Sequence, residues 1–294
     1  MTLSRREFIA AASAATVGFA AAPRLTATPR LAAPPPMPND FGEFTVAIQS
    51  YTFRNFKPLE KALARIQAVG VTNGEFFRDH IPTTSSPEQI KAALKLCSEY
   101  HVKPVAFGVE SFSKNHEANK KKFEFGAALG IKSLSADPDP DSFDSLDKLV
   151  EEYKINIAIH PHGPQGRTLH RWYSAEKILA AVKDHNPLIG TCIDTGHLIR
   201  SEQLGKKLDP VQQIKLMGAR NFGIHLKDHD NKRKTDVVFG DPTGQLDVPG
   251  VLKALKEVKF KGHISIEYEA HPQDPTKDVM ACLAYLKKCI KEVG

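Results

Sequence analysis

The chain has 294 residues, 41% hydrophobic and 25% charged, and 40 basic against 34 acidic residues give a formal net charge of +6. That balance fits a globular protein with a large core and excludes both an intrinsically disordered chain and a multi-span membrane protein. The cysteines, Cys97, Cys192, Cys282 and Cys289, are too few for a disulfide scaffold and show no CxxC spacing, so they read as buried small hydrophobes.

In chain order, residues 1–33 come first. Ser4-Arg5-Arg6-Glu7-Phe8-Ile9 leads into an Ala-rich run, Ala10 to Ala22, and resembles a twin-arginine export signal, with small-residue cleavage sites at Ala20-Ala21-Ala22 and Leu31-Ala32-Ala33. The run is too short and too weakly apolar for a transmembrane helix, so no stable membrane insertion is expected. Removing this segment leaves 36 basic and 33 acidic residues, a net of +3, which is no electrostatic footprint for a nucleic-acid partner. Such a signal implies a periplasmic or otherwise exported protein that folds before it crosses, often around a metal or cofactor. A Pro-rich linker over residues 34–43 separates it from a domain spanning 44–294.

From Phe44 onward short apolar strands alternate with helical patterns. Strands are expected at Thr45–Ser50, Val71–Phe77, Lys103–Val109, Lys132–Ala136, Ile155–His160, Leu188–Asp194, Asn221–Lys227 and His263–Tyr268. Between them lie helices over Pro58–Val69, from Ser86-Pro87-Glu88 onward, His116–Leu129 and Asp141–Tyr153. Others are centred near Ile178, Ile214, Leu252 and Leu283. Eight strand-helix units without a composition break fit a single closed (β/α)8 TIM barrel better than a doubly wound sheet. Active sites of that fold sit where the strands end.

Four strands end in residues of metal-ligand type: Ile159-His160-Pro161-His162, Ile193-Asp194-Thr195-Gly196-His197, His225-Leu226-Lys227-Asp228 and Glu267-Tyr268-Glu269. Period-two alternation turns His160, His162, Asp194, His225, Lys227, Glu267 and Glu269 toward the barrel axis. Imidazoles and carboxylates buried together on successive strands need either a divalent metal or a closed hydrogen-bonded network. Two imidazoles with two carboxylates suit one Mn, Zn, Co or Fe ion better than Ca or Mg. His160 and His162 both face inward, and either fits the ligand position.

The motifs Asp194-Thr195-Gly196-His197, His225-Leu226-Lys227-Asp228 and Ile266-Glu267-Tyr268-Glu269, in that order, resemble the sugar phosphate isomerase/epimerase family of xylose-isomerase-like barrels. That family also holds ketose 3-epimerases, hydroxypyruvate isomerases and apurinic-site endonucleases. The resemblance covers about Phe44 to the C-terminus. It implies that Asp194, His225 and Glu267 hold one divalent ion, that His197 contacts substrate, and that glutamates exchange a proton with the carbon beside a sugar carbonyl. It also implies a small-molecule sugar or keto sugar as substrate, and dimers or tetramers, although the chain shows no interface signal.

The chain departs from that pattern on the fifth strand, where His160 stands in place of the family's glutamate. As catalytic groups this leaves Glu267 as base and His160 as ligand. The set suits isomerisation or epimerisation, and equally a lyase or hydratase acting on 3-keto sugars or glycosides. A non-catalytic sugar-binding barrel is the further alternative, and an endonuclease the weakest, since the rim has too few His and Glu ligands for three metals. Other rim candidates for substrate contact are Glu75, Lys227, Arg200, Glu269 and Trp172. Glu75, with Glu110, is also a stand-in for the missing carboxylate or a salt-bridged rim residue. Lys227 reads equally as a sugar contact or as a partner of Asp228 or Glu269, and Trp172 equally as a helix-packing residue.

Overall fold

A computed structural model describes residues 40–294. The twin-arginine segment and residues 34–39 of the linker lie outside the described residues. The barrel strands are β1 (Thr45–Gln49), β2 (Asn73–Phe76), β3 (Lys103–Phe112), β4 (Ser133–Pro138), β5 (Asn156–Ile159), β6 (Ile189–Asp194) and β7 (Asn221–Leu226). A hairpin of β8 (Asp228–Asp230) and β9 (Thr235–Val237) intervenes before the last barrel strand, β10 (His263–Ile266). All barrel pairings are parallel and close in the order β1-β10-β7-β6-β5-β4-β3-β2. The expected eight-stranded TIM barrel is therefore the observed fold.

The helices are α1 (Leu59–Ala68), α2 (Pro87–Glu99), α3 (His116–Leu129), α4 (Phe143–Tyr153), α5 (Ala175–Val182), α6 (Thr195–Arg200), α7 (Pro210–Met217), α8 (Val248–Glu257) and α9 (Thr276–Glu292). Local chemistry sets several boundaries. Ser86 and Gln89 form a reciprocal capping box with Pro87 in the first turn of α2, and Gly130 ends α3 in the left-handed conformation. The core lies between helices and strands, where Ile48, Ile157, Ile159, Ile193, Ile224, Ile264 and Ile266 are fully buried. The alternate residues, Ala47, Ser135, Ala158, Cys192 and Ser265, are small and face the axis, which leaves room inside for longer polar side chains.

Three features differ from the sequence expectation. β3 runs on to Phe112 with a register shift between Phe107 and Glu110, because a bulge re-aims the strand where Gly108 and Val109 border the cleft. The short α6 starts on the residue after β6 ends, capped by Asp194 with no loop between them. The β8–β9 hairpin follows β7 after a single residue and carries the next loop over the rim.

Candidate functional site

Asp194 ends β6 and caps α6, its Oδ1 accepting the His197 N–H at 2.7 Å. Its other oxygen, Oδ2, is buried and has no hydrogen-bond partner. Toward it point His160, just past β5, and His225, register partner of Asp194 on β7. His160 Nε2 is 3.4 Å from Asp194 Oδ2 and 3.0 Å from His225 Nδ1, while His225 Nδ1 is 3.2 Å from Glu267 Oε2. One ligand atom from each of these four buried residues falls within 4.8 Å of the others. Atoms about 2.0–2.2 Å from a common ion stand roughly 3–4 Å apart, so these residues fit a single metal.

His225 has the environment that a ligating imidazole needs. Its Nε2 lies 3.0 Å from Glu75 Oε2, which fixes the proton on that nitrogen and turns Nδ1 to the site. Glu75 is fully buried inside the barrel and also accepts from His263 (3.1 Å), Ser265 (2.6 Å) and Ser135 (2.5 Å). Burial alone would push its carboxyl up, but His225 and His263 hold it well below the usual range, as an anion.

Lys227 follows His225 and is 1% exposed. Its ammonium lies 2.9 Å from Glu267 Oε2 and 3.3 Å from Asp194 Oδ2 and also bonds Glu269. Burial disfavours its charge, but these three carboxylates keep it protonated well above the usual range. The Lys227 ammonium is in turn what most strongly offsets burial at Asp194 and Glu267, so both stay ionised. Gly196 permits this arrangement, since a Cβ there would stand 2.7 Å from the Lys227 stem.

Above these groups opens a cleft of about 340 Å³. Its polar wall is His160, His162, His197, Glu267 and Glu269, and Tyr51, Phe77 and Val109 form an apolar wall opposite. His197 is held neutral mainly by burial. Its Nδ1 accepts the Gly163 N–H at 3.0 Å, so the proton sits on Nε2 and this imidazole is a donor rather than a metal ligand. The same reasoning applies to the nearby group of Asp137, His162 and His170. His170 Nδ1 accepts the Trp172 N–H at 3.2 Å, which leaves Nε2–H to donate toward Asp137, whose Oδ2 is 3.5 Å away. His162, pushed down to about 3 chiefly by burial, is neutral and lines the cleft beside His160.

The sequence matches the xylose isomerase-like TIM barrel family over residues 63–289. The chain belongs to this family. A solved structure of an uncharacterised protein from Parabacteroides distasonis ATCC 8503 is 28% identical, with a TM-score of 0.64 over 84% of this chain and 99% of that one. A D-tagatose 3-epimerase-like protein is 19% identical with a TM-score of 0.66, over 85% and 98% of the two chains. D-allulose 3-epimerase from Methylomonas sp. is 16% identical with a TM-score of 0.64, over 84% and 98%. A comparison with curated proteins finds no match.

On the frame of the xylose isomerase-like barrel, the expected site residues fall into three groups. His160, Asp194, His225 and Glu267 meet, while His162, His197 and Glu269 line the cleft above them. Glu75, Lys227 and Trp172 do not stand where substrate contact requires. Glu75 is sealed in the barrel by its four donors, and Lys227 lies behind Glu267 and Glu269, with no bond to Asp228. Asp228 instead accepts the backbone N–H groups of Gln245 and Leu246 and so ties down the Gly240–Gly244 loop. Trp172 packs edge-on against Phe143 and donates its indole N–H to the Pro138 carbonyl, so it is a packing residue. Arg200 lies in an adjoining cleft, and Glu110 is paired with Arg78 and Lys122. Sequence reasoning missed Gln49, Tyr51, Phe77 and Val109 as cleft residues; their only signal was position at the ends of the first three strands.

Proposed function

We propose that this protein is a metal-dependent sugar isomerase or epimerase that moves a proton at the carbon beside a sugar carbonyl. The observation that carries the reading is the meeting of His160 Nε2, Asp194 Oδ2, His225 Nδ1 and Glu267 Oε2 at the cleft floor, where Asp194 Oδ2 accepts no hydrogen bond among the described residues and meets Lys227 only as an ion pair at 3.3 Å. The mixed nitrogen and oxygen set suits Mn, Zn, Co or Fe. Charge argues the same way, since against the carboxylates of Glu75, Asp194, Glu267 and Glu269 the one permanent cation is Lys227, the others facing them being the imidazoles of His160, His225 and His263. A bound divalent ion would supply positive charge that stabilises an enediolate beside the carbonyl. The likeness to a D-allulose 3-epimerase and a D-tagatose 3-epimerase-like protein, on the same fold, favours a ketose-type substrate.

The chain's own residues take the other roles. Glu267 is ionised and reaches the cleft, so it accepts and returns the proton. His197 donates its Nε2–H to a substrate oxygen, held in that tautomer by Gly163. Tyr51, Phe77 and Val109 cover the opposite face and keep water from the developing anion. With His160 in the place where the family resemblance puts a glutamate, the four-residue set keeps one glutamate that can act as base, Glu267, whose Oε2 is held by Lys227 and His225. That single base favours a second reading, a lyase or hydratase in which Glu267 removes the proton and His197 protonates the departing oxygen of a 3-keto sugar or glycoside. Export of the folded protein to the periplasm under the residue 1–33 signal is part of the same proposal.

The test is metal analysis of the purified protein, followed by incubation in deuterated water with ketoses and 3-keto glycosides. Deuterium at the carbon beside the carbonyl with inversion marks an epimerase, and loss of water or aglycone marks the lyase. Glu267→Gln is expected to lower exchange by roughly 10²–10⁴. No bound metal and no exchange would overturn both readings.

A further inference from the structure

Beside the cleft over the metal-ligand set lies a second one, of about 320 Å³, bordered by Arg200, Gln203, His229, Lys234, Asp236 and Glu269. Glu269 lines both, and Arg200 Nη1 approaches His197 Nδ1 at 3.5 Å across the boundary. The acceptors of the second cleft are already engaged. Asp236 takes the His229 imidazole at 2.9 Å through Oδ1 and the Glu269 N–H at 3.0 Å through Oδ2, and Glu269 takes Lys227. His229 Nε2 is met by the Gln203 amide at 3.5 Å.

The donors, in contrast, are in surplus. Arg200 is half-buried, and among the described residues its one polar contact is that weak approach to His197. Lys234 has no ion pair or hydrogen bond there either. Nearby Arg171 and Arg233 are each held by carboxylates. A half-buried guanidinium without a counter-charge has lost part of its hydration and gained little in return. Its planar fork fits a carboxylate or a phosphate.

We propose that this second cleft is a subsite for an anionic substituent of the substrate, a sugar carboxylate or phosphate ester, seated on Arg200 with Lys234 at its edge. The proposal rests on the functional reading above and narrows it to acidic sugars, whose carbonyl end lies over Glu267. Since Glu269 borders both clefts, one small molecule passes from the first to the second along it.

Calorimetry with inorganic phosphate, D-glucuronate and D-glucose, on metal-loaded and metal-stripped protein, tests it. At least one anion is expected to bind about tenfold or more tightly than glucose, and the tighter of the two names the substituent. Arg200→Met should collapse that ratio, Arg200→Lys should leave an intermediate one because charge stays while the fork is lost, and Lys234→Met should lower it less. Added salt should weaken the preference. Thermal unfolding of each variant confirms that it folds. Equal binding of anions and glucose by the wild type, or an anion preference unchanged in Arg200→Met, overturns the proposal, as does anion binding that depends on the metal and not on Arg200. The binding readout needs no turnover, so failure of the proton-transfer chemistry and failure of the subsite give separate results.

Discussion

At Asp194 the two oxygens of one carboxylate serve different structures, Oδ1 closing the first turn of α6 and Oδ2 facing the ligand set. His197, whose N–H makes that cap, is thereby placed beside the group it helps to form. His80 shows the opposite case, a buried imidazole whose two nitrogens have no hydrogen-bond partner among the described residues and whose ring meets Phe77 edge-on at 4.8 Å. Burial pushes it down to about 4. It is neutral in both the folded and unfolded states above about pH 6.5, so its contribution is complete there. As the pH falls from 6.5 to about 4 the unfolded chain takes up the proton first, and stability should drop by on the order of 3 kcal/mol. Urea unfolding across that range should show a flatter profile for His80→Gln, and identical slopes would refute the assignment.

Among the elements, the barrel strands meet through Glu75, which starts on β2 and bonds residues of β4, β7 and β10. Replacing it with glutamine turns an amide N–H₂ toward groups that are themselves donors. Glu75→Gln should therefore weaken metal affinity about 10–100-fold and cost about 1–3 kcal/mol in stability, read by chelator competition and urea unfolding. Unchanged affinity would show that His225 needs no partner to hold its orientation. Strand periodicity foretold the direction of Asp194, His225 and Glu267 because the register shift between β6 and β7 falls earlier, at Thr191/Cys192, and leaves Asp194 directly opposite His225, while Glu267 follows the last residue of β10. Alternation gives the face of a strand but not the layer inside a barrel, so Glu75 read as a rim residue although it lies beneath the rim. Trp172 misled for a related reason: its loop carries no period, and only the folded chain shows its indole against Phe143 and Pro138. α6 was invisible because a helix that begins directly after the last residue of a strand leaves no turn signal between them.

For the whole molecule, no helix among the described residues is long and apolar enough to cross a membrane. The export reading rests on the arginine pair at the start of the chain. Replacing Arg5 and Arg6 with lysine should hold the protein in the cytoplasm of a bacterial host that has a twin-arginine translocase, as cell fractionation would show. Normal delivery of the double variant to the periplasm would reject that route.

Lys227 has a bearing on the order in which this barrel folds and acquires an ion. Carboxylates brought together in a closing barrel repel one another, and many sites of this kind cannot form until the ion arrives. Here an ammonium from the chain itself stands among Asp194, Glu267 and Glu269. On the proposed metal reading, the barrel would thus close first and be loaded afterward, or exchange its ion without opening. Metal-stripped wild type should unfold cooperatively and rise further in midpoint with added Mn or Zn, whereas metal-stripped Lys227→Met should start lower and gain more from the same ion. Equal responses from the two proteins would mean that the lysine does not stand in for the ion during folding.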